Sequence, residues 1–158
     1  MNIDLGCSNL IRGDIGINYH SYSYLSSNNL HTRQLDELLE KEGFKINHDA
    51  TYIKNDIELV DYSIYENASY LLAHVLEHIN EPFKLLSKLL DSNPNKIIIV
   101  VPNCYKNKAD RYDKEHKYSW NEYSLFHLLK EVDSFNPIIR KIKVKPIMNN
   151  YDLMGIIQ

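Results

Sequence analysis

Residues 74–78 read His-Val-Leu-Glu-His. Two imidazoles and a carboxylate at this spacing can do metal chemistry. If His74, Glu77 and His78 share one face of a regular helix, they converge on a zinc ion, and a further ligand downstream would complete a hydrolase. The same residues at the end of a buried strand would instead form a loop that lines a pocket. A third reading makes them a satisfied structural histidine pair. The elements on either side distinguish these readings.

Residues 68–73 form a short, mostly apolar run that follows a polar, turn-rich segment and leads straight into His74. A helix fits residues 81–90, where Phe83, Leu86, Leu89 and Leu90 share a face and Pro82 suits the first turn. The segment 74–78 therefore falls between a strand and a helix, which disfavours zinc. Further strands are expected at residues 2–5, 14–18 and 44–47, and at 97–101, which is β-branched throughout. A strand apolar on both faces belongs inside a parallel sheet covered by helices. Leu35, Leu38 and Leu39 predict a helix that begins after cap residues 26–29 and stops at Gly43. Leu125, Leu128, Leu129 and Val132 predict another over 119–132. Strands near 138–144 and 151–157 read as a hairpin, with the basic residues of 140–145 on a solvent-facing side. The sum is an α/β fold: a Rossmann-like, mostly parallel sheet flanked by helices, with a C-terminal antiparallel hairpin.

In such sheets ligands bind outside the carboxyl ends of the strands. By this reading Gly6-Cys7-Ser8, Asn18-Tyr19, Asp49-Ala50, His74–His78 and Asn103 gather on one rim.

The chain has 158 residues, which suits one domain over 1–158. Its apolar fraction of 44% and charged fraction of 25% are ordinary for a globular protein. A net charge of −3 speaks against unaided nucleic-acid binding. Two cysteines, Cys7 and Cys104, make neither a disulfide framework nor a zinc knuckle, and free thiols fit a reducing cytoplasm. The N-terminus has no signal-peptide pattern and no apolar run is long enough to span a bilayer, so a cytoplasmic protein is expected.

Taken in order, Ile3-Asp4-Leu5-Gly6-Cys7-Ser8, His74-Val75-Leu76-Glu77-His78, Glu81-Pro82, Val101-Pro102-Asn103 and Asp113–Trp120 resemble the class I S-adenosylmethionine-dependent methyltransferases. The likeness is to the small domains whose first strand runs into LGCG and whose fourth ends in HVLEH. It covers the chain from end to end. It implies S-adenosylmethionine as cofactor. Gly6, with Cys7 and Ser8, would let the backbone approach the methionine half, and Asp4 would orient the loop or the ammonium group. Asn18 would stand where an acid usually takes the ribose hydroxyls, with Tyr19 stacking on adenine. Asp49 would meet the adenine amino group beside Ala50, and His74 and Val75 would flank the reactive end. The sequence departs from the pattern at Ser8, at Asn18, and in linking the first two strands by about eight residues, where a parallel crossover takes a dozen or more.

Methyl transfer from a sulfonium needs mainly proximity and alignment. A hydroxyl or protonated amine acceptor also needs a base, for which His78 and His116 are the candidates, with His74 behind them. Glu77 fits a structural or cofactor contact. Tyr118 and Trp120 would wall the acceptor site, with Trp120 equally suited to the core. The acceptor is a small molecule or another group the sequence does not specify, and a homodimer or partner protein would supply what so short a chain lacks. The competing functions are a non-catalytic binding or assembly module on the same fold and, below it, the zinc hydrolase.

Overall fold

A computed structural model describes residues 1–7, 10–18, 30–106 and 114–158, excluding the side chains of 30–32. Ser8, Tyr19, Asp113 and the expected cap at 26–29 lie outside the described residues.

The sheet has seven strands: β1 (Asn2–Leu5), β2 (Ile15–Asn18), β3 (Thr51–Lys54), β4 (Ser69–Ala73), β5 (Lys96–Pro102), β6 (Ile142–Ile147) and β7 (Asp152–Ile157). Their order is β3-β2-β1-β4-β5-β7-β6. The first five are parallel, and β7 runs antiparallel to both β5 and β6. The chain builds outward from β1 to β3 and then returns to place β4 on the other side of β1. That reversal opens a crevice at the carboxyl ends of β1 and β4. This is the expected fold class, C-terminal hairpin included.

Alternation along the strands divides the core between the two faces. Leu5, Tyr70, Leu72, Ile97, Ile99 and Val101 pack beneath helices α2 (Pro82–Asp91) and α3 (Glu122–Ser134). Leu71, Ile98, Val100, Met154 and Ile156 pack beneath Leu35 and Leu39 of α1 (Leu30–Lys41). Residues 97–101 of β5 are wholly buried, so both faces of that strand are covered. Each such side chain contributes about 1.5–3 kcal/mol by leaving water. Pro82 opens α2 in its first turn, and Asn121 caps α3 through a reciprocal box with Ser124. The basic run falls mainly on edge strand β6, with Lys143 and Lys145 exposed and Ile142 and Val144 half-buried. Arg140 is the exception: it is buried and donates to Asn136 at 2.7 Å.

One strand is misplaced by the sequence reading. Residues 44–47 are not the third strand. Phe44 is buried under α1 directly after the Gly43 turn, and Ile46 makes only an isolated bridge to Arg12. The third strand is Thr51–Lys54, in register with β2. Phe44 gains more as a plug under the helix than a four-residue edge strand could offer it.

The link from β1 to β2 is as short as expected, and its described residues contain no helix. Hydrogen bonds close it against the sheet. The Gly6 N–H donates to Ile17 O at 2.7 Å and the Asp14 N–H to Asn2 O at 2.8 Å. The Arg12 N–H donates to the buried Asp4 carboxylate at 2.8 Å. Burial raises the Asp4 carboxyl from its ordinary 3.8 to about 7, against the lowering effects of this bond and of the Arg12 charge.

Candidate functional site

The crevice at the β1–β4 switch holds a cavity of about 630 Å³, within the range of small-molecule sites. Gly6 after β1, Asn18 ending β2, Asp56 and Ile57 after β3, and His74 and Val75 after β4 line one part of it. His78, Ile79, Lys114, Glu115 and Lys117 line the rest. Of the sequence-derived candidates, the fold thus brings Gly6, Asn18, His74, Val75 and His78 together. His116 joins them through its ring, 4.7 Å from that of His78 and nearly perpendicular to it.

Gly6 has a φ of +72°, and a Cβ there would stand 2.4 Å from Val75 Cγ2. The turns after β1 and β4 touch at this point, and only glycine permits it. Asn18 donates its amide to Cys7 O at 2.7 Å and so ties the first turn to β2. The Cys7 thiol itself is buried, which raises it to about 12, and it does not line the cavity. Asp4 lies deeper, mid-strand, in contact with the return of the link.

Asp49 and Ala50 do not belong to this rim. They precede β3, and because β3 runs parallel to β1 its start lies at the opposite edge of the sheet. Asp56 and Ile57, past β3, occupy the rim position expected of Asp49 and Ala50. The missed signal was the alternating Thr-Tyr-Ile-Lys segment ahead of Asn55-Asp56.

The segment 74–78 is not helical, so the helical zinc arrangement does not form. His74 leaves β4 with a φ of +55° and the chain turns sharply, closed by the His78 N–H donating to Val75 O at 2.9 Å. A different set of donors forms instead. One ligand atom each from Glu77, His78 and His116 lie within 4.8 Å of one another, a set suited to a divalent cation. Local spacing in the sequence does not assemble it, because contacts between segments distant in the chain bring residues 115–118 to residues 77–78. The Lys117 N–H donates to Glu77 O at 2.8 Å, and His78 Nδ1 meets Glu115 O at 3.2 Å. That contact favours the tautomer with its proton on Nδ1, which leaves Nε2 of His78 as the lone-pair donor.

Glu77 is 0% exposed, and neither carboxylate oxygen accepts a hydrogen bond. Its cationic neighbour is the His74 ring, with Nδ1 at 3.5 Å from Oε1. On the other side of that ring, Nε2 lies 3.5 Å from Oδ2 of the buried Asp152, the first residue of β7. Burial pulls the His74 pKa down, but the carboxylates of Asp152 and Glu77 outweigh it and raise the ring to about 9. A buried carboxylate that accepts no hydrogen bond beside two imidazoles fits a cation site.

Trp120 is buried in the core, and its backbone pairs with Asn103 at the end of β5. Tyr118 stacks on it at 5.6 Å, with its hydroxyl donated to Asn80 O. Neither they nor Asn103 line the cavity.

No family model and no curated protein matches the chain. Solved structures do. The small RNA methyltransferase HEN1 superposes with a TM-score of 0.63 at 16% identity, covering 99% of this chain and 22% of HEN1. The plantazolicin methyltransferase BpumL gives 0.61 at 16% identity, covering 99% of this chain and 75% of that one. A SAM-dependent methyltransferase from Archaeoglobus fulgidus gives 0.57 at 17% identity, covering 99% and 84%. The chain has the fold of the class I methyltransferases. This chain spans about a fifth of the length of HEN1. No helix among the described residues is long and apolar enough to cross a membrane.

Proposed function

We propose that this protein transfers a methyl group from S-adenosylmethionine to a hydroxyl group, beside a divalent cation held by Glu77, His78 and His116. The observation that carries this reading is that His78 belongs both to the wall of the strand-end cavity and to the Glu77–His78–His116 cluster, so the cluster adjoins the rim. The rim supplies a nucleoside cradle. Gly6 lets the backbone approach the methionine half, and Asn18 and Asp56 present polar groups to the ribose and base. Ile57 supplies an apolar wall, and Val75 closes the floor against Gly6. The role expected of Asp49 passes to Asp56.

A divalent cation held at the cluster would supply Lewis acidity to an acceptor oxygen and lower its pKa, so that its proton could pass to solvent as the methyl leaves the sulfonium. His78 and His116 would then be ligands, not bases. A hydroxyl is the acceptor type for which such help matters most, because it is a poor nucleophile while protonated. RNA is the first acceptor to test. HEN1 is a small RNA methyltransferase, and Lys114 and Lys117 stand at this cavity, where they would meet an anionic acceptor despite the negative overall charge.

The test has two steps. Calorimetric titration with S-adenosylhomocysteine is expected to show one site, and absence of binding by both it and S-adenosylmethionine would end the enzyme reading. Labelled-methyl transfer to an oligoribonucleotide is then expected in Mn²⁺ and lost in EDTA. Transfer equal in both would remove the cation from the reading. Binding without transfer to any hydroxyl acceptor would favour the non-catalytic module, a reading supported by the absence of a helix among the described residues of the β1–β2 link.

A further inference from the structure

Two buried carboxylates, Asp152 and the cluster's own Glu77, flank the half-buried His74 ring. Asp152 opens β7 opposite Pro102 of β5 and is 0% exposed. Its Oδ2 lies 3.5 Å from Nε2 of His74, and Nδ1 of the same ring lies 3.5 Å from Oε1 of Glu77. The ring is thus held from both ends, by carboxylates anchored on different parts of the fold. His74 itself is outside the Glu77–His78–His116 donor set.

A carboxylate that accepts no hydrogen bond can rotate about its last torsion, which costs a metal site its geometry. Outer groups that fix such ligands are worth roughly 10–100-fold in metal affinity. From this geometry we infer that His74 and Asp152 are positioning residues for the cation site: Asp152 aims the His74 ring, and the ring aims the Glu77 carboxylate toward His78 and His116. The inference rests on the cation reading above. It adds that β7, far along the chain, sets the geometry of a site built on the turn after β4. His74 thus serves the cluster without being a ligand, from a position where the backbone turns with a φ of +55°.

Mn²⁺ alone is the probe, added to the full chain and followed by calorimetry and by the electron paramagnetic resonance spectrum of the bound ion. Asp152→Asn and His74→Leu are each expected to weaken Mn²⁺ binding about tenfold or more and to broaden the spectrum. His74→Asn keeps an amide donor where Nδ1 stands but has no atom to meet Asp152, so it is expected to recover only part of the affinity lost in His74→Leu. Circular dichroism melts identify the folded variants to be compared. If the wild-type chain binds no Mn²⁺, the cation reading fails and takes this inference with it. If the wild type binds Mn²⁺ and folded Asp152→Asn and His74→Leu bind it equally well, the positioning role is overturned while the cation reading stands. The same holds if His74→Asn is as weak as His74→Leu, because the amide donor would then count for nothing.

Discussion

Gly6 shows how little room the crevice leaves. Its left-handed φ and the 2.4 Å approach of Val75 Cγ2 to a built Cβ are two independent demands for glycine. Gly6→Ala is therefore expected to cost about 1–3 kcal/mol in stability from the backbone alone. It should also weaken S-adenosylhomocysteine binding more than tenfold, because Val75 must move into the cavity. Chemical denaturation and calorimetry on the same variant test both effects, and unchanged binding in a folded protein would detach Gly6 from the site. The glycine was legible in the sequence because a strand ending in Gly-Cys-Ser needs a tight turn. The pairing of His78 with His116 was not. Their ring contact depends on backbone bonds between residues 115–118 and 77–78, and nothing in the local spacing records them.

Among the elements, helices α2 and α3 and strands β4 and β5 could be read directly, because each carries a long apolar stripe or run at one clear period. The third strand could not. Phe44 and Ile46 offered more hydrophobic signal than Thr51–Lys54, yet the helix α1 claimed Phe44 for its own underside. A four-residue edge strand with exposed ends has little pattern to offer. The link between β1 and β2 makes its own prediction. Asp4 is buried under Arg12 with its carboxyl raised to about 7 from 3.8. Between those values the folded state holds a proton that the unfolded chain has released, so stability falls as pH rises from about 4 to about 7. Asp4→Asn keeps an oxygen for the Arg12 N–H and does not titrate. It should match the wild type near pH 4 and exceed it at pH 8 by on the order of a few kcal/mol. Urea midpoints at the two pH values decide the matter, and an equal difference at both would mean that Asp4 is not the titrating group.

At the scale of the whole molecule, function follows from which edge of the sheet a residue reaches. Parallel strands send every carboxyl end to one edge, so a shift of a few residues in the position of β3 moves an acid from one side of the protein to the other. Asp49 and Asp56 make this a direct comparison. Both are acids flanking the same short strand, but only Asp56 lines the cavity. If the cavity holds the nucleoside, Asp56→Ala removes a charge-assisted hydrogen bond, worth about 1.5–3 kcal/mol. That corresponds to a loss of roughly tenfold to a hundredfold in S-adenosylhomocysteine affinity. Asp49→Ala, at the far edge, should leave affinity unchanged. The ligand-induced rise in melting temperature should follow the same order, since a ligand stabilises only in proportion to its occupancy of the native state. The opposite ranking, with Asp49→Ala weakening the complex and Asp56→Ala not, would mean that the nucleoside lies elsewhere and that the crevice between β1 and β4 serves another ligand.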